Sequence, residues 1–254
     1  MTQTVDGRAR ATRPPVLRLV PLTGALAVFI LLCGLGIWQV QRLAWKTGLI
    51  ATVEARLAAA PVPAPGPDAW PELTQAEAEY RRVTVSGRYR PESDRLVKAV
   101  TARGPGFWVM TPLDTDRGWQ LLINRGFVPD SARRPQDRDL PANDVTISGL
   151  LRMSQPGGGF LRANDAAAGR WYSRDTAAMA ADLGLGPVAP YFIDAEAGPD
   201  ADALPIGGLT VVSFRNSHLV YAVTWLSLAA LWAGWLIYLW RREDGRRPGA
   251  PQDI

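Results

Sequence analysis

The sequence predicts a membrane protein of the α+β class, in which two transmembrane helices flank a β-rich, antiparallel domain. Three observations carry this. Between Arg18 and Arg42 there are 23 residues without a formal charge, and between Arg215 and Arg241 there are 25. Between those runs, from Tyr80 onward, the apolar period changes to two. At about 1.5 Å rise per residue, either run covers the roughly 30 Å hydrocarbon core of a bilayer. The predicted segments are a tail at 1–18, a span at 19–41, the β-rich domain at 42–217, a second span at 218–240 and a tail at 241–254.

The first span is preceded by Arg8, Arg10, Arg13 and Arg18, which gives it the look of a secretory signal. Its apolar part, LTGALAVFILLCGLGIW, exceeds the usual length of about 7 to 15 residues, and no small-x-small cleavage site follows before QVQRLAWK. A retained anchor is the expectation. Leu32 is too large for lipoprotein cleavage ahead of Cys33, which leaves an apolar membrane cysteine.

Past the span, QRLAWKTGLIATVEARLAAA keeps helical spacing, with Trp38, Arg42, Trp45 and Leu49 on one face. It stops at PVPAPGPDAWPE, where five prolines in eleven residues predict an extended linker. Strands are expected in YRRVTVSGRY, DRLVKAV, GFWVMTPL, WQLLINRGFV, DVTISGLLRM, RWYS, PYFIDA and LTVVSF, each rich in β-branched and aromatic residues. RDTAAMAADLGLG is the helix candidate of the later half, closed by glycine. VTVSG at 83–87 and VTISG at 145–149 match at four of five positions, which raises a duplicated β-unit against a chance strand-turn likeness.

Charge sets the orientation. The N-terminal tail holds four arginines and the C-terminal tail holds Arg241, Arg242, Arg246 and Arg247, whereas the opposite flanks hold Arg42, Lys46, Arg56 and Arg215. By the positive-inside rule both termini are cytoplasmic and the domain is periplasmic, or in an equivalent compartment. Residues 47–217 contain 18 Lys+Arg and 20 Asp+Glu, so the +4 of the chain comes from the membrane-flanking segments and no basic groove points to nucleic acid.

Several chemistries lose their usual residues. No histidine lies between Ala44 and Ser217, which removes imidazole-activated nucleophiles and most zinc sites from the domain, and one cysteine excludes paired-thiol chemistry. Asp114 and Asp116 in LDTDRGW read as a turn rather than a catalytic pair. QPGGGF at 155–160 lacks the lysine and helix of a phosphate loop and reads as a hairpin tip. Arg125, in NRGFVP, is either solvated or paired.

The single histidine, His218, stands at the mouth of the second span. Ionisable groups there are functional candidates by default. His218, Tyr221, Trp225 and Trp232 recur at helical spacing, an aromatic wall beside an imidazole that suits a porphyrin with the imidazole as axial ligand. An interfacial aromatic belt is the competing reading, and Trp235, Tyr238 and Trp240 fit it at the inner side. Arg42, Lys46 and Arg215 serve equally as partners for propionates or for lipid headgroups.

With LGIWQVQRLAWK, VSGRY, GFWVMTPL, INRGFVP and RNSHLVYAVTW in order, the chain resembles the surfeit locus protein 1 family over roughly residues 20–240. The resemblance implies a non-enzymatic assembly factor for haem-copper cytochrome c oxidase, in a bacterial inner membrane. It implies haem a as cofactor, with the oxidase catalytic subunit, haem a synthase and membrane lipid as partners and no nucleic acid. His218 matches the family's haem-binding histidine and is the candidate ligand of the haem iron; Tyr221, Trp225, Trp38, Arg42 and Arg215 complete the candidate cofactor site. Gln39, Arg125 and Gly126 match family motifs, with no chemical role implied for the last two. A cofactor-free scaffold for oxidase subunits is the alternative. A sensor is disfavoured by the short tails, and haem-modifying catalysis by the lack of a multi-histidine site.

Overall fold

The computed structural model describes residues 16–244 except 201, 211 and 213. Arg8, Arg10, Arg13, Arg246 and Arg247, on which the orientation expectation leans, lie outside the described residues. The chain forms two units, one of residues 51–213 and one of the chain before and after it.

In the second of these units α1 (Val16–Ala58, its first 35 residues here) and α4 (His218–Asp244) are both long and apolar enough to cross a membrane, and they flank the β-rich domain in sequence. As the helical spacing past Arg42 predicts, α1 continues unbroken to the proline run. The two helices pack antiparallel. Gln39 lies beside His218, Gly36 meets Leu226, and the Trp232 indole donates to the Ala25 carbonyl at 2.9 Å. Small residues let them close up: Gly36, Ala222 and Ala229 are all buried.

The domain is built on β1 (Val62–Pro63), α2 (Gln75–Ala78), β2 (Arg82–Tyr89), β3 (Arg95–Thr101), β4 (Gly104–Thr115), β5 (Gln120–Pro129), β6 (Val145–Met153), α3 (Thr176–Asp182) and β7 (Val188–Ala195). The sheet order is β1-β2-β6-β7-β5-β4-β3, and β2 also pairs with β4, so five strands close on themselves as a barrel. Alternate residues of all five fill its interior: Val83 and Val85, Leu113, Leu121 and Ile123, Ile147 and Leu151, Tyr191 and Ile193. Outside, α3 and Trp171 cover Met110, Leu122 and Phe192. Asp175 caps α3 by accepting from Ala178 N at 3.0 Å, and Gly184 ends it at φ +61°.

Four expectations change. The sheet is mixed rather than antiparallel, since β5 pairs parallel with β7 and β1 with β2. The reason is visible in composition: LLIN and YFID are unbroken buried runs, the mark of strands covered on both faces. The proline segment is not a free linker. Val62–Pro63 pairs with β2, and the Pro65 carbonyl accepts from Trp70 Nε1 at 3.1 Å and the Tyr191 hydroxyl at 2.6 Å. RWYS forms only isolated bridges, because Trp171 is spent as a core plug. LTVVSF carries no strand among its described residues, with Thr210 instead donating to Asp194 at 2.8 Å.

VTVSG and VTISG prove to be neighbours. They pair antiparallel from Val83↔Gly149 to Gly87↔Val145, with the Ser86 and Thr146 hydroxyls 2.8 Å apart. Each glycine sits where a third strand comes too near for a side chain: a Cβ at Gly87 would lie 2.2 Å from Asp114 O, and one at Gly149 would lie 2.3 Å from Asp194 O. The shared glycine therefore follows from two strands meeting the same steric demand.

Candidate functional site at the His218 end of the helix pair

His218 opens α4, and the helix is entered from Ser217, whose carbonyl accepts the Tyr221 N–H at 3.3 Å. The imidazole Nδ1 lies 2.8 Å from Oε1 of Gln39 on α1. Gln39 is only 8% exposed, on the same face as Gly36. A buried carboxamide needs a partner, since an unmet polar group costs about 1–3 kcal/mol, and the imidazole supplies it. Among the described residues, Nε2 of His218 makes no hydrogen bond. Two residues upstream, Oδ1 of Asn216 is buried without a hydrogen-bond partner among the described residues.

The aromatic wall divides. Trp225 and Trp232 are half-buried on the packed face with His218, while Tyr221 is 51% exposed at its edge. The Trp232 ring stacks tilted on Trp235 at 5.2 Å. On α1, Trp38 is exposed, and the Arg42 guanidinium lies 3.9 Å from the ring centroid of Trp45, also exposed. Arg215 is exposed as well. The structure thus joins His218 to Gln39 and leaves Trp38, Arg42, Arg215 and Tyr221 on the open surface of this unit. Gln39 is the residue whose role sequence reasoning missed. The available signal was an uncharged polar side chain close to the end of an apolar run, which has to find a partner.

The domain holds a separate polar network. Asp194, 3% exposed, accepts from Asn124 Nδ2 at 2.7 Å, Arg152 Nη1 at 3.0 Å, Arg174 Nη1 at 3.2 Å and Thr210 Oγ1 at 2.8 Å. Arg152 also donates to Glu79 at 2.7 Å. Burial lowers the Arg174 pKa, with Asp194 opposing it; for Arg152 the attraction of Asp194 and Glu79 outweighs burial and the net shift is upward. Every acceptor position of Asp194 is engaged, so this cluster reads as a structural brace. Among the described residues no group of three His, Cys, Asp or Glu is arranged to hold a metal ion.

Of the NRG triplet, Asn124 belongs to this brace and its two neighbours fix adjoining backbone. Asn124 reaches Asp194. Arg125 donates to the carbonyls of Arg138 at 3.0 Å and Asp139 at 2.5 Å and lies over the Tyr89 ring, pinning the loop after β5. Gly126, at φ +137°, lets the backbone of Ile206 approach to where a Cβ would be 2.3 Å from its carbonyl oxygen. Asp114, expected in a turn, lies instead in β4, where it pairs with Arg90 at 3.1 Å, and the turn begins at Asp116. In the QPGGGF region, Gly159 and Arg162 close a tight turn with Phe160 and Leu161 at its tip.

Comparison with known proteins places the chain. The SURF1 family model matches residues 26–230. The chain is 35% identical to Surfeit locus protein 1 of Rattus norvegicus over 235 residues, covering 85% of this chain and 73% of that protein. The Homo sapiens protein of the same name is 35% identical over 247 residues, covering 90% and 76%. A SURF1-like protein of Monosiga brevicollis is 34% identical over 239 residues, covering 88% of both. With the barrel, most of α1 and the first half of α4 inside that match, the chain belongs to the SURF1 family.

Proposed function

We propose that this protein is an assembly factor for haem-copper cytochrome c oxidase. In this reading it holds haem a through His218 at the outer edge of a bacterial inner membrane and aids its insertion or stabilisation in the catalytic subunit, beside haem a synthase. It is a carrier and not an enzyme. Both termini are cytoplasmic and the barrel is periplasmic; the arginine-rich tails support this, and antiparallel helices suit a two-span hairpin whose ends lie on one side.

One observation carries the reading. His218 is held through Nδ1, with Nε2 free of hydrogen bonds among the described residues, which is the donor arrangement an iron ligand needs. Arg42 fits a propionate partner, because its guanidinium, held over the Trp45 ring, is exposed on the helix surface. Arg215, exposed, is the second such cation. Haem a, when bound, supplies a redox-active iron centre. The protein's own residues bind it, orient it and shield it from water along Trp225. Reduced-minus-oxidised spectra of protein co-expressed with haem a synthase test this. A haem a band is expected in the wild type and absent from His218→Ala; an equal band in both overturns the reading.

The second reading is a cofactor-free scaffold. It is favoured by the tip of the 157–162 turn, where Phe160 is 91% and Leu161 88% exposed on the domain. Large apolar groups so presented are contact points for another protein.

A further inference from the structure

An imidazole has two nitrogens, and the one that bears the proton decides which offers a lone pair. The oxygen of a carboxamide only accepts. With Gln39 Oε1 at 2.8 Å from His218 Nδ1, the proton of the neutral ring belongs on Nδ1 and the lone pair on Nε2. A free neutral imidazole prefers the opposite form, with Nε2 protonated, so this bond reverses the ring's own preference. Both partners sit on rigid elements: Gln39 is buried within the continuous helix Val16–Ala58, and His218 is in the first turn of α4. At Gly36, one turn before Gln39, the side chain of Leu226 of α4 occupies the space a Cβ would need, which keeps the helices at a distance the bond can bridge.

We propose that Gln39 is a positioning residue for His218. It accepts the Nδ1 proton, holds the ring in one tautomer and one orientation, and so presents Nε2 to the iron of a metalloporphyrin. This rests on the haem reading above. Histidine ligands ordinarily have such a partner for the second nitrogen, and losing it costs about 10–100-fold in affinity. A neutral carboxamide, unlike a carboxylate, adds no negative charge to the ring and so leaves the iron less electron-rich.

His218 is the one histidine of the chain, so ring-¹⁵N-histidine labelling reads this site without assignment, provided the purification tag contains none. The full chain in detergent, at about pH 9 and thus above the ordinary imidazole pKa, should show an Nδ1–H ring. Gln39→Leu should move it toward Nε2–H, and Gln39→Glu, which keeps an acceptor, should hold it. Haem a added from a detergent stock should then bind Gln39→Leu about 10-fold more weakly or worse, and Gln39→Glu within about 3-fold of wild type with a more negative midpoint potential. An Nε2–H ring in the wild type, or an Nδ1–H ring unchanged in Gln39→Leu, overturns the proposal. Uptake of haem a by His218→Ala equal to wild type overturns the haem reading and the ligand role with it. The tautomer spectra, recorded without haem, report on the bond alone, so the two failures are distinguishable.

Discussion

At the scale of single residues, buried polar groups do the placing. Tyr89 lies under Arg125 at the end of β2, where burial pushes its phenol from the usual 10 up to about 12, with Arg125 pulling the other way and Asp94 adding to the rise. The folded state therefore favours the protonated phenol. Its contribution is complete below about pH 10, where the unfolded chain is also protonated, and is lost as pH rises toward 12. Burial raises Tyr191 in the same direction. Tyr89→Phe should flatten, without abolishing, the fall in denaturation midpoint between about pH 10 and 12. Gln39, Asn124 and Arg125 belong to the same class: each stands in a recognisable motif, yet its partner is distant in sequence.

At the scale of elements, the helix pair depends on a close approach. A Cβ at Gly36 would lie 2.6 Å from Leu226 Cδ2, a flexible side chain that yields to one methyl group more readily than to a large residue. Gly36→Leu should destabilise the solubilised protein by about 1–3 kcal/mol and disturb the His218 resonance. Adding Leu226→Ala should recover much of the loss in a double-mutant cycle. The 157–162 turn behaves oppositely. Phe160→Ser with Leu161→Asn, the latter tolerant of the left-handed backbone at φ +58°, should leave the denaturation midpoint within about 0.5 kcal/mol of wild type. If oxidase recovery in cells nevertheless falls with these changes, while His218→Ala is tolerated, the scaffold reading gains over the haem carrier.

For the whole molecule, closure of the barrel is the decisive feature. β2 binds β6 along most of its length and turns to β4 at Gly87, which pairs with both Val145 and Thr115. Gly87→Val would drive its side chain into the Asp114 carbonyl, which belongs to backbone and cannot yield while β2 and β4 stay paired. The expected loss is about 3 kcal/mol or more. It should be accompanied by faster hydrogen exchange at Arg90 and Asp116, whose N–H groups bridge β4 and β2 at 3.0 and 3.1 Å, ahead of the β5–β7 ladder. Uniform acceleration through the sheet would instead mean that the barrel unfolds as one body.

Two apolar helices, most of the strands and the α3 helix were legible in the chain alone, because hydrophobic period and charge-free length are local properties. The extended-linker expectation failed because prolines also offer carbonyls, and Pro65 found Trp70 and Tyr191 to donate to it. The parallel β5–β7 pairing and the joining of β2 to β4 were decided only in three dimensions, since pairing partners are set by which faces become buried. So was the contact that gives His218 its orientation. A glutamine 179 positions away becomes its neighbour only when two helices pack, and no local pattern encodes the distance between them.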